Sequence, residues 1–210
     1  HRMPSPPDQR PFPGAVFEGS ALDFDGYRFE RTDFRRAHAE GAVFLECALV
    51  ECALDEVRLD GSRWSGCEWD LVHGVSVSLA EATLAETRIS RSRLGAVSAW
   101  GSQWRDVTVE GGKIDWLNLR GATLRDVAFV DCVVVELDAQ EATLERVTFE
   151  GCTLLEPVFG RGRYAGLDLS GAQLRHPRGV ATLRGATLAR PQVIDLAEHL
   201  AAELGIAVAD

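Results

Sequence analysis

The residues with which this 210-residue chain could do chemistry are five cysteines, a scatter of histidines, one lysine and 32 carboxylates. A zinc site or a thiol nucleophile needs Cys and His converging at short, characteristic spacings. Cys47, Cys52, Cys67, Cys132 and Cys152 include no CxxC pair, and no histidine is spaced to join them. His38, His73, His176 and His199 are too dispersed to form a metal site. Gly160-Arg-Gly162-Arg-Tyr-Ala-Gly166 has the outline of a phosphate loop but lacks the Lys-Ser/Thr ending and a following helix. Lys113 is the only lysine, and no nucleophile stands beside a base. The expectation is no metal, no cofactor and no enzyme.

What positions these residues is a five-residue step that runs without a slip from position 24 to position 174. Of its 31 positions, 27 are Leu, Ile, Val, Phe, Trp or Tyr; the exceptions are Ala39, Gly74, Ala99 and Ala139. A second column two residues earlier is small at 25 of 31 positions, and neither column holds a charge, although 26% of the chain is charged. Five fits neither the helical period of 3.6 nor the strand period of 2, and strict repetition marks a solenoid. Five residues make one short extended side and a corner, and four sides close a coil of twenty. The large residue and the small one two before it then both point inward. Glycine recurs two residues after the centre, as at Gly26, Gly41, Gly66 and Gly121, which suits a corner of positive φ. The cysteines all fall in the small inward column and read as core filler with reduced thiols. Trp64, Trp69 and Trp104 are placed inside; Trp100 and Trp116 fall on outward positions.

Segments such as Ala122-Thr-Leu124-Arg-Asp126, Ala142-Thr-Leu144-Glu-Arg146 and Ala172-Gln-Leu174 resemble the pentapeptide-repeat family, whose consensus is Ala-(Asp/Asn)-Leu-x-x. The resemblance covers about three quarters of the chain and implies a right-handed quadrilateral β-helix, an all-β solenoid. One branch of that family, the Qnr and MfpA type, consists of acidic rods that dimerise through their C-terminal segments and bind DNA gyrase in place of DNA. Some relieve its poisoning by quinolones. Qnr proteins carry loops that interrupt the coils, whereas here the frame is intact, so the closer likeness is to the MfpA type.

The formal net charge is −10 and the pI about 5.0, which argues against direct nucleic-acid binding and for a basic partner surface. The register aligns Glu86, Asp106 and Asp126 along one edge and sets Glu110 and Glu150 on the next wall, with Asp131 at its corner. Arg105, Arg125 and Arg146 intrude. These six acids are the expected DNA-mimic face, and a type II topoisomerase such as gyrase is the implied partner, with resistance to quinolones or other gyrase-targeting antibiotics as the outcome. A protein-interaction scaffold using an apolar patch at Trp116, Val133, Val135 and Leu155 is the competing expectation. A carbohydrate-acting solenoid enzyme is a third class, for which five-residue walls leave little room.

The chain divides at sequence level into a Pro-, Arg- and Asp-rich start read as tag remnant and disordered tail (1–11), the repeat (12–189) and a C-terminal helix with tail (190–210). Phe12 and Phe17 keep the five-residue step out of phase, so an irregular first coil is expected. The frame breaks at His176-Pro177-Arg178-Gly179 and resumes, shifted, at Leu183 and Leu188. Pro191 suits a first helical turn, and Val193, Leu196, Ala197, Leu200 and Leu204 follow one apolar helical stripe ending at Gly205. This helix is expected to cap the open coil end or to join two copies as a homodimer of roughly 70 Å, about two turns of duplex. No apolar run approaches the ~20 residues of a membrane span, and the absence of a signal-peptide pattern points to the cytoplasm.

Overall fold

The computed structural model describes Arg10–Pro11 and residues 22–209. Its strands are all paired in parallel, and from residue 23 to residue 174 each strand partner lies twenty residues away. The first wall reads Phe24, Phe44, Trp64, Leu84, Trp104, Leu124, Leu144 from coil to coil. The second reads Phe29, Leu49, Trp69, Ile89, Val109, Phe129, Phe149. Gly74, Leu94, Ile114, Val134, Leu154 and Leu174 stack on the third. Twenty residues on four walls make each wall five residues wide, and the result is a β-solenoid of about eight turns. Each coil's backbone donors and acceptors are met by the coils beside it, as in Val43 N to Leu22 O and Gly121 N to Gln140 O.

Every centre residue from 29 to 169 is buried. Aromatic rings occupy the early coils, where Phe44 lies flat on Trp64 with centroids 3.8 Å apart and Trp64 meets Trp69 edge-on at 4.8 Å. Trp64 Nε1 donates to Ser62 Oγ, whereas the buried Nε1 groups of Trp69 and Trp104 find no acceptor among the described residues. An orphaned donor costs roughly 1–3 kcal/mol, which the surrounding apolar burial outweighs. The cysteines are buried and free, and Cys67 donates to Phe44 O and Ser65 O.

The fourth wall departs from the uniform scheme of a large centre with a small neighbour. There the centres include Ala39, Ala99 and Ala139, and the preceding column carries Val57, Val77, Val97, Leu117 and Leu137, all buried. At Ala99 beside Val97 and Ala139 beside Leu137 the large and small residues exchange places, which keeps the cross-section of those coils filled. Gly74 is small for a local reason: a Cβ there would lie 3.0 Å from Leu54 O and from Val77 Cγ2.

Corners are of two kinds. At the junction of the first two walls and at two other edges, the corner residue has positive φ, whether it is Gly66 or a charged residue such as Glu46, Glu86, Asp106 or Asp126. Between the third and fourth walls Arg36, Glu56 and His176 also have positive φ, but the strands His73–Ser78, Lys113–Asn118 and Thr153–Val158 turn through strand backbone instead.

At the start, Arg10–Pro11 pairs with Tyr27–Arg28, so these two residues join the sheet. The rest of the start expected to be disordered, and Phe12 and Phe17, lie outside the described residues. At the end, a 3-10 turn at Val180–Thr182 follows Gly179, and Asp168 bridges Thr187, a step of nineteen. In place of the single C-terminal helix with one apolar stripe there are two short helices. These helices, α1 (Arg190–Asp195) and α2 (Ala197–Glu203), meet at Leu196, which alone of the stripe is buried. Leu200 is half-buried, Ala197 is exposed, and Val193 and Leu204 are 46% and 63% exposed. The reason is that these helices lie over the last coil rather than in a groove. Gln192 Nε2 donates to Leu169 O and Ala172 O, both at 2.7 Å, and Glu203 accepts from Gly179 N and Ala181 N. Gly205 closes the segment with φ 72°.

Candidate functional site: the charged exterior

With the interior filled by its own side chains, the exterior carries whatever function the rod has. A shallow, open depression of about 360 Å³ lies over Asp55, His73, Val75, Arg93 and Lys113. Among the described residues no group of three or more His, Cys, Asp or Glu could hold a metal ion. The phosphate-loop outline at 160–166 is part of the coil. Arg161 forms a corner there, and the Tyr164 hydroxyl donates to Ala139 O inside the tube.

The acid columns stand where the twenty-residue register puts them. Glu86 N donates to Arg105 O across one step of the edge that carries Glu86, Asp106 and Asp126. Glu110 and Glu150 flank Val130 on the second wall, and Asp131 at its corner donates its N–H to Glu150 O. All six carboxylates are exposed or half-buried.

Their charges are not equally available. Asp126 accepts from Arg146 Nε at 2.6 Å and Nη2 at 2.7 Å, and these bonds hold its carboxyl below the usual range. Glu110 accepts from Arg88 Nε at 3.1 Å, and Asp106 lies 3.9 Å from Arg105. Glu86, Asp131 and Glu150 have no cationic partner among the described residues. Half of the expected face is thus internally neutralised and half is free.

Trp100 is 45% exposed, whereas Trp116 is half-buried between Ala96 and Glu136 of the adjoining coils. Of the apolar patch expected around it, Val133 is 36% exposed and Val135 and Leu155 are half-buried. Reading residue by residue missed a second charged region. Residues 157–190 hold Arg161, Arg163, Arg175, Arg178, Arg184 and Arg190 against Asp168 alone. Counting charge coil by coil would have found it.

Five-residue walls, coils of twenty and corners of positive φ decide the architecture. It is that of a β-solenoid built on a five-residue repeat. No protein-family model matches the sequence, and no curated protein matches it. Among solved structures, a trypsin-treated variant of QnrB1, a plasmid-mediated fluoroquinolone resistance protein, is similar at 17% identity. It is covered over 98% of its length by 90% of this chain, with a TM-score of 0.36. Full-length QnrB1 gives 16% identity, coverage of 89% of this chain and 98% of that one, and a TM-score of 0.33. HetL, a pentapeptide-repeat protein involved in heterocyst differentiation regulation in the cyanobacterium Nostoc sp. strain PCC 7120, gives 13% identity, coverage of 79% and 89%, and a TM-score of 0.30.

Proposed function

We propose that the protein is a non-catalytic rod that binds a type II topoisomerase, DNA gyrase, by presenting its acidic exterior to the enzyme's DNA-binding surface. The observation that carries this reading is the uncompensated acid of residues 22–156, where 25 carboxylates stand against 14 cations. Spread over about seven coils at ~4.8 Å each, that excess is roughly one net negative charge per 3 Å of rod. Duplex DNA presents one per ~1.7 Å. The two agree within a factor of two, which is close enough for a groove built to hold the duplex to attract the rod. Glu86, Asp131 and Glu150 supply free carboxylates, while Asp106, Glu110 and Asp126 share theirs with arginines.

In this reading a homodimer forms through the apolar residues left exposed on the C-terminal helices. Val193, Ile194 and Leu204 are 46%, 67% and 63% exposed. The biological outcome is modulation of gyrase and resistance to quinolones or other drugs that act on it. The test is a supercoiling assay with purified gyrase, with and without a quinolone. Inhibited supercoiling or reduced drug-dependent cleavage is expected at micromolar protein, and no change in either rejects the proposal. Glu86→Lys with Asp131→Lys and Glu150→Lys should weaken the effect at least tenfold; an unaltered effect would place the contact on another face.

A further inference from the structure

We infer that the arginines of residues 157–190 form a second recognition surface, a collar that takes a short, flexible acidic segment of a protein partner. The collar goes beyond the acidic face and is independent of it. Of the 14 cations between residues 22 and 156, 12 lie within 4 Å of a carboxylate; among the described residues Arg63 and Arg93 do not. None of the six collar arginines does so among the described residues, and all six are exposed.

The register explains the contrast. Barrel arginines are commonly paired across neighbouring coils, as in Arg36–Glu56, Arg125–Glu145 and Arg120–Glu141. The corresponding partners of the collar are not acids. Arg163 bridges Thr143 and Arg178 bridges Val158. Arg161 has Glu141 one coil away, but that carboxylate is already held by Arg120 at 2.8 Å. Glu203 of the C-terminal helices spends both oxygens on the N–H groups of Gly179 and Ala181. In residues 157–190 the six arginines thus outnumber Asp168 by five and make no ion pair among the described residues, while the helices over the last coil add Asp195, Glu198 and Glu203.

The shape of the collar selects the ligand. Arg163 lies on the first wall, Arg175 on the third and Arg178 on the fourth, while Arg161 is a corner. A stiff duplex reaches one or two walls of a square rod at a time. It would also run past Glu136, Glu141, Glu150 and Glu156, which lie one or two coils away. That is roughly 5–10 Å, within about a Debye length at physiological salt. A short flexible segment can bend around the corner and set carboxylates on guanidinium forks without crossing that belt. Exposed Ile206 and Val208 lie on the C-terminal segment beyond the collar and outside the dimer residues, so the segment it fits carries apolar residues among its acids.

The probe is a fluorescent Glu-Glu-Leu repeat peptide, followed by anisotropy against full-length protein, with its Gln-Gln-Leu counterpart and a short DNA duplex as comparisons. The acidic peptide is expected to bind in the micromolar range and to weaken as salt rises, while the glutamine peptide and the duplex do not bind. Arg161→Glu with Arg178→Glu should abolish binding, and Arg178→Gln alone should weaken it several-fold, both with unchanged melting. Equal binding of the glutamine peptide, tighter binding of the duplex, or unaltered binding by the double variant would each overturn the inference. Charge reversal at Glu86, Asp131 and Glu150 should leave the peptide's affinity intact. Failure of the collar and failure of the acidic face are therefore told apart.

Discussion

Residues 22–156 and the C-terminal end solve opposite problems with the same alphabet. In residues 42–156 each coil has a neighbour above and below, so ladder bonds, stacked rings and cross-coil ion pairs close on themselves. At the end there is no further coil. The step shortens to nineteen, Gly179 turns the chain with φ 74°, and two short helices close the core through Leu196 and Gln192. What a repeat normally satisfies by repetition, the end satisfies with single residues. It leaves apolar side chains and arginines facing solvent. Repetition gives stability through many equivalent contacts, whereas an end depends on a few that have no substitutes.

That difference can be broken at its strongest point first. Trp64→Ala should remove the stack on Phe44 and the edge contact with Trp69, at a cost of about 3–5 kcal/mol. The loss would be seen as a lowered denaturation midpoint for the whole barrel; a shift confined to one or two coils would mean the coils unfold independently. Gly179→Ala comes next. A Cβ there would sit 1.9 Å from Phe159 O in a left-handed conformation, so a cost of about 2 kcal/mol or more is expected. Hydrogen exchange should quicken over residues 176–205 and stay slow in the barrel, and uniform quickening would show that the cap governs the entire rod.

The smallest effect concerns the corners. Glu86→Gly and Asp131→Gly relieve left-handed φ of 49° and 52° but add chain entropy to the unfolded state. The two terms are each about 1 kcal/mol or less, so melting should barely move. Any fall in gyrase modulation would then report lost charge alone.

The interior of this molecule was readable before any coordinates. The centre positions from Phe29 to Leu169 are all buried, because charged groups do not fit a tube five residues wide, whereas in the small column Thr32, Ala37, Gly112 and Gly162 are only half-buried. The alignment of Glu86 with Asp106 and Asp126 comes from the same arithmetic. Three things were not readable. The exchange of sizes on the fourth wall, Ala99 beside Val97 and Ala139 beside Leu137, depends on what the facing walls leave vacant, and no single pentad carries that information. Which arginines are spent on carboxylates depends on rotamers, so Asp126 and Glu150 look alike in sequence and differ in the fold. The helical stripe from Val193 to Leu204 has the right period for one buried face, but periodicity does not say how much surface there is to cover. One coil end accommodates Leu196 and part of Leu200, and no more.

The constant shift of twenty between strand partners also makes the protein a graduated ruler. A coil could be duplicated or excised in evolution or by design, and the rod would lengthen or shorten by ~4.8 Å per unit while its two ends stayed as they are. The splice has only to respect which wall carries the bulk. A family of such rods could thus be fitted to receptors of different depth by whole-number changes in length.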